Sequence, residues 1–344
     1  MSLKDVVSLD YEAKEKLYGL MSEIIEKATD DQDGAQINRV EESLNRFVMR
    51  EWNLLVSRAI ESTVSFVNGV QRETLKEADQ RKIERRLETI LSEIDEKVRS
   101  RLESDIAKIY KLNRTRFQNQ HKLKKRMSKS EILKADFGSS DELIVDALSK
   151  LHLISVSDHY SNNHKTFISE MIKTNVIDRG LPKKEAGIAL KEQLSRRLGG
   201  FEQSVPETIR TQGQLAASAY FDGLSATTVT RARNFGQINL MDEAGVTRVT
   251  WSSVEDERTS EICLAMNGRV FTLDLVKAQQ NRILEQTSAD AVKELFPWRK
   301  DLSEFGLGRG DRVSSYEASQ MLAENGVPIV PPAHFRCRSE LIPG

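Results

Sequence analysis

Proline is absent from the first 181 residues of this 344-residue chain, and all seven prolines fall in the remaining 163, at Pro182, Pro206, Pro297, Pro328, Pro331, Pro332 and Pro343. Proline removes a helix donor and clashes with the preceding turn, so a long stretch without it admits long helices. The apolar residues use that freedom. Ile83, Leu87, Ile90, Ile94, Val98, Leu102, Ile106, Ile109 and Leu112 recur at steps of three or four, 29 residues in eight steps. That is the period of a straight amphipathic helix rather than of a left-handed supercoil. One helix is predicted over 83–112, and its stripe requires a partner.

Other elements follow from similar signals. Leu17, Leu20, Ile24 and Ala28 mark an N-terminal helix that Asp30 to Gly34 ends, and a further helix is predicted over about 35–70. Ser139 with Glu142 makes a capping-box pattern ahead of a helix over 143–154, and Ser204 with Glu207, with Pro206 between them, marks another start. Gly199-Gly200 punctuates the chain before it. After Ala226 the texture changes. Residues 227–243 read as a helix closed by Gly245, and Val246 to Ser252 have the β-branched and aromatic content of a strand. Arg269 to Leu273 is a second strand after the Asn267-Gly268 turn signal, and 278–296 returns to helix. The GLGRGD loop at 306–311 lacks the Lys-Ser or Lys-Thr of a phosphate-binding P-loop. The expected fold class is α+β, with a long, mainly helical N-terminal region over 1–164 and a smaller α+β C-terminal domain with short strands over 165–344.

Charged residues make up 30% of the chain and no run approaches the ~18 apolar residues that a membrane span needs. The first residues lack the basic and apolar regions of a secretion signal, so the expectation is a protein made and kept inside a cell, with no membrane partner. The net charge of −1 hides a cluster. Between Lys108 and Lys134 ten basic residues face one acid, Glu131. Arg114, Arg116, Lys122, Lys124, Lys125, Arg126 and Lys129 are thus candidates for non-specific contact with DNA phosphates, against the plainer reading of a solvated helix face. With few aromatic rings in the run, a base-stacking platform is not expected.

Cys263 and Cys337 are the only cysteines. His334-x-x-Cys337 has the short spacing that lets two side chains of one turn bind a single Zn²⁺, and Cys263 with Asp256 would complete a tetrahedron. Three states remain open for the pair: a structural metal, a disulfide, or unbridged thiols packed side by side. Carboxylates beside a metal can activate water, but no second histidine is near and no nucleophile-base pattern occurs, so catalysis is not expected. Asp256 is instead expected to cap the helix running into Glu261 and Ile262, with Thr259 in the turn before it. Trp251 and Trp298 read as core aromatics and Asn267-Gly268 as a turn requiring positive φ. His152, His159 and His164 do not repeat on one face at ligand spacing and, with His121, read as ordinary surface or core residues.

Taken in order, these residues resemble the Mu F-like, or minor head protein, family of tailed bacteriophages. The resemblance is carried by an arginine-bearing helix ending in glycine (Arg231 to Gly245), a tryptophan strand at Trp251, and D-x-R-T at Asp256, Arg258 and Thr259. It continues with C-x-x-x-N-G at Cys263, Asn267 and Gly268, and the terminal PP-x-H-x-x-C-R at Pro331, Pro332, His334, Cys337 and Arg338. It covers roughly 165–344, while Lys4 to Lys150 matches nothing. What it implies is a virion structural protein of few copies, bound to the portal protein, taken into the procapsid in the host cytoplasm, and residing inside the head near the portal. Head morphogenesis, DNA packaging or genome delivery would be its task, without catalysis. Scaffold or major capsid protein and packaged DNA are further partners in that picture, and structural Zn is the one cofactor expected. Family members often end H-P-x-C-R-C, whereas Phe335 and Ser339 stand here in place of the proline and the last cysteine. Two alternatives remain: a non-specific DNA-binding protein using 108–134, and a metal-dependent hydrolase centred on Asp256, Cys263, His334 and Cys337.

Overall fold

A computed structural model describes residues 37–121, 139–201, 203–254, 257, 259–286, 289–295, 316–334 and 336–344. The helix expected over 17–28, the GLGRGD loop, Trp298 and most of the basic run lie outside the described residues. The first described helix, α1, covers 37–69 and buries Val40, Leu44, Val48, Trp52, Leu55, Ala59 and Ile60 along one stripe. α2 (Glu77–Leu91) and α3 (Ile94–His121) follow. The stripe expected on one helix over 83–112 is therefore carried by two. At the junction the Ser92 hydroxyl donates to the Thr89 carbonyl at 3.0 Å, and the Glu93 N–H reaches back only three residues, to Ile90, at 3.3 Å. A serine hydroxyl competing for a ladder carbonyl loosens a helix in this way. The interruption leaves both Leu91 and Ile94 fully buried.

α4 (Ser139–Asn163) begins where the capping pattern placed it but runs well past Ile154. α5 (Lys165–Ile172) passes into a π-helical turn over Lys173–Ile177. α6 (Lys183–Leu198) starts at Pro182 and stops at Gly199 and Gly200, whose φ values of +90° and +92° suit glycine. α7 (Glu207–Glu243) is a single 37-residue helix, so the helix expected from residue 227 is its second half. Its N-cap is Pro206 with no side-chain cap, which corrects the Ser204–Glu207 box while keeping its position. Gly213 lies where α7 crosses α6, against the Ser195 and Arg196 carbonyls, and Gly236 faces the Tyr110 ring of α3. α7 thus packs on α3, α4 and α6 together.

Beyond Gly245 the chain enters a three-stranded antiparallel sheet of order β2-β1-β3, with β1 at Arg248–Ser252, β2 at Val270–Thr272 and β3 at Glu340–Pro343. Val249 pairs with Phe271 and Trp251 with Leu341, and all four side chains are buried. α8 (Glu261–Met266) sits between β1 and β2. α9 (Leu273–Leu284), α10 (Ala289–Leu295) and α11 (Tyr316–Glu324) complete the described helices, so the helix expected over 278–296 is two. The fold is α+β, mostly helical with a small sheet in its C-terminal part. One contiguous buried cluster runs from Ile37 to Leu341 across the 164/165 boundary.

Candidate metal centre

Two segments far apart in sequence build the site. Ser260 precedes α8 as its N-cap and accepts from the Cys263 N–H at 3.4 Å, so the cap expected at Asp256 belongs to Ser260. This places Cys263 in the first turn of α8, its side chain turned inward. The far end of α8 is tied to β1 by the turn at Asn267-Gly268. Gly268 has φ +79° and donates to the Trp251 carbonyl at 2.8 Å, and Asn267 accepts from the Ser253 N–H at 2.9 Å. Trp251 itself is fully buried and donates from its indole to Ser253.

The second segment arrives after Pro331 and the cis Pro332. Gln279 of α9 fastens it. Its amide donates to the Val327 carbonyl and its oxygen accepts from the N–H groups of Ile329 and Val330. The chain then turns, with Cys337 N–H bonded to the His334 carbonyl and Arg336 at φ +61°. α7 holds the outgoing strand. Thr230 donates to the Cys337 carbonyl at 2.7 Å, and Asn234 bonds the backbone at Ser339 and Leu341. Arg233 pairs with Glu340 at 2.6 Å.

The result brings Cys263, His334 and Cys337 together. The Cys263 sulfur is 3.1 Å from His334 Nε2 and 3.6 Å from the Cys337 sulfur, and all three ligand atoms lie within 4.8 Å of one another. Tetrahedral zinc, with Zn–S about 2.3 Å and Zn–N about 2.0–2.1 Å, has S···S and S···N edges of ~3.8 and ~3.6 Å. The three residues can therefore hold a metal ion. Around the sulfurs stand donors suited to thiolates: the Ser260 and Ser339 hydroxyls at Cys263, and the Ser339 and Ala333 N–H groups at Cys337. Such outer hydrogen bonds orient and tune metal ligands. The hydrogen bond from Cys263, reinforced by His334, holds Cys337 well below the usual thiol range, while the same bond and then burial push Cys263 up.

His334 and Cys337 also line a cleft of about 860 Å³, together with Arg116, Arg233, Arg336 and Arg338. Glu41, on another wall, is pushed up to about 7 by burial and then by the neighbouring Asp222. Compared with family models, curated proteins and solved structures, the chain matches none.

The remaining candidates fall as follows. Asp256 and Arg258 lie outside the described residues, as do Lys122, Lys124, Lys125, Arg126 and Lys129. Thr259 donates to the Val254 carbonyl in the loop before α8. Arg114 is a cross-brace. Its guanidinium grips both oxygens of Asp141, at 2.7 and 2.9 Å, and also pairs with Glu243 at the end of α7. Arg116 faces the cleft. His152, His159 and His164 are buried, as core roles require. His159 and His164 meet through Nε2 at 3.2 Å, a contact the spacing did not disclose. Ser260, Ser339, Thr230 and Asn234 gave no sequence signal, because each matters only through a contact across the fold.

Proposed function

We propose that this chain is a minor head protein of a tailed bacteriophage, bound to the portal and acting in head assembly, DNA packaging or genome delivery. The observation that carries the proposal is the meeting of Cys263, His334 and Cys337. The motifs behind the resemblance are scattered over more than a hundred residues, yet the second half of α7, the Trp251 strand, α8, the Asn267-Gly268 turn and the Pro331–Arg338 tail form one connected unit. Zinc held by the triad would be structural in this role, clipping the tail to α8 and supplying no chemistry beyond cross-linking. The unit is then a rigid docking module, and the helices before it extend its reach toward portal, scaffold or major capsid protein.

The test is co-purification of the tagged full-length protein with the phage portal protein, with metal content determined on the same sample. Stable co-migration with zinc near one per chain is the expected result. Absence of portal association would sink the proposal.

The basic run favours a second reading, in which the protein contacts packaged DNA inside the head. Arg114 takes no part in it, being committed to Asp141 and Glu243. Replacing Lys122, Lys124, Lys125 and Arg126 by alanine separates the readings. Loss of salt-sensitive DNA retention with portal binding intact supports DNA contact, and unchanged retention removes it.

A further inference from the structure

Cys263 and Cys337 are the only thiols of the chain, and their sulfurs stand 3.6 Å apart, in contact but unbonded. A disulfide holds its sulfurs at about 2.05 Å, so closure needs a movement of roughly 1.6 Å shared between two side chains. Both carriers are already in place for it. Ser260 caps the turn of α8 that bears Cys263, and Thr230 holds the carbonyl of Cys337. With no third thiol in the chain, only one intramolecular pairing exists.

The two sulfurs differ in access. Both residues are buried, Cys337 at 1% and Cys263 at 2% exposure, but Cys337 lines the cleft of about 860 Å³ and Cys263 is not among the residues of its wall. A reagent entering there meets Cys337 first. Thiols this enclosed exclude a bulky disulfide such as oxidised glutathione, because exchange requires direct access of one sulfur to another. A hydroperoxide, two oxygens across, fits.

We propose that Cys337 and Cys263 form a peroxide-driven dithiol–disulfide pair, in which Cys337 takes the oxygen and Cys263 resolves it. The Cys337 sulfur attacks one peroxide oxygen, the O–O bond breaks, and the other oxygen leaves as water, giving the sulfenic acid. The Cys263 sulfur then attacks the Cys337 sulfur, the S–O bond breaks, and that oxygen leaves as a second water with the Cys263 proton. Two thiols are oxidised and one hydrogen peroxide is reduced to two waters. His334 Nε2, 3.1 Å from the Cys263 sulfur, stands where that proton departs. The proposal rests on the meeting of the two thiols and on neither the metal nor the portal. Zinc on the triad occupies both sulfurs, so metal and disulfide exclude each other, yet each ties the tail to α8.

The test treats the full-length protein, freed of metal by a chelator, with hydrogen peroxide and reads intact mass and thiol alkylation. The expected result is joint loss of both thiols, a mass lower by two hydrogens on a monomeric chain, a peptide cross-link joining 263 to 337, and reversal by dithiothreitol. Cys263→Ser should halt at a Cys337 sulfenic acid that dimedone captures. Cys337→Ser should leave a thiol that oxidises about tenfold more slowly, since susceptibility follows access. The parent's own cross-link decides the matter even where a serine variant fails to fold. Added oxygen without a cross-link, a disulfide between two chains, or thiols that react only once urea is present overturns the proposal and leaves the zinc clip standing. A cross-link in a chain that binds no zinc, or one that forms with zinc retained, overturns the clip and leaves the pair.

Discussion

Asn234, in the middle of α7, holds Leu341 of β3 by its backbone: the side-chain oxygen accepts the Leu341 N–H at 3.0 Å while the amide donates to the Ser339 carbonyl at 3.2 Å. Both partners are buried. One amide thus does for β3 what a fourth strand would do, satisfying donor and acceptor on the strand edge.

Asn234→Leu keeps the volume and removes the pairing. The Leu341 N–H is then left buried without a partner, which costs about 1–3 kcal/mol. Urea denaturation should show that loss, and hydrogen exchange should place it at residues 337–343 before the rest of the core. Unchanged protection of β3 would mean that β1 alone secures the strand.

Zinc should raise the melting temperature and a chelator should lower it. At a hundredfold excess over its Kd the ion adds about 2.7 kcal/mol. His334 is only half-buried, so His334→Ala should abolish the zinc shift while leaving the metal-free melting temperature near that of the parent. A zinc shift that survives His334→Ala would point to binding elsewhere.

Gly213 has no room for a methyl group. A Cβ there would stand 2.7 Å from the Ser195 carbonyl and 2.9 Å from that of Arg196, both backbone atoms that cannot rotate away. Gly213→Ala should therefore cost about 3 kcal/mol through forced separation of α6 and α7. Gly69, at the end of α1, meets nothing within 4 Å. Gly69→Ala should be neutral or stabilising by about 0.5–1 kcal/mol, since it restricts the unfolded chain. Thermal melts of the two variants side by side check both signs.

Acid should weaken the fold through its buried histidines. Burial, then Arg231, pushes His152 down to about 3; burial, then His164 and Arg197, does the same for His159; burial, then Arg197, takes His164 to about 4. Unfolded histidine titrates near 6.5, so between there and 4 the unfolded chain takes up protons that the native one refuses. Stability consequently falls with pH in that window, by up to about 1.4 kcal/mol per pH unit for each group. Glu41 acts oppositely: pushed up to about 7, it contributes stability present at low pH and lost as pH rises through that value. His152→Gln, which retains a polar reach toward Thr228, should show a shallower acid decline than the parent. Parallel curves would absolve His152.

Much of this fold is legible in the sequence. The 3.6-residue stripe from Ile83 onward disclosed the buried face but not the break at Ser92-Glu93 that divides it between two helices, and Gly245 and Gly268 marked turns because positive φ suits glycine. The unity of α7 was hidden by the β-branched run Thr227-Thr228-Val229-Thr230, which lowers helix propensity at the point where the texture changes, and only the neighbours α6 and α3 explain why glycine stands at 213 and 236. β3 was hidden too, being four residues ending in proline with no alternation to read. At the site, scarcity and spacing disclosed Cys263, His334 and Cys337. Ser260 and Ser339, which present donors to the sulfur, were silent because serine carries no positional signal until a partner faces it.

Cys263 and Cys337 stand 74 positions apart in the chain. Bringing the ends of so long a loop together costs ~4 kcal/mol of chain entropy, so the unfolded chain rarely presents all three ligands at once. In the folded chain Thr230 and Asn234 of α7 receive the tail that brings His334 and Cys337 to Cys263. An ion held by all three ligands is therefore held only by a chain in which α7 has received the tail.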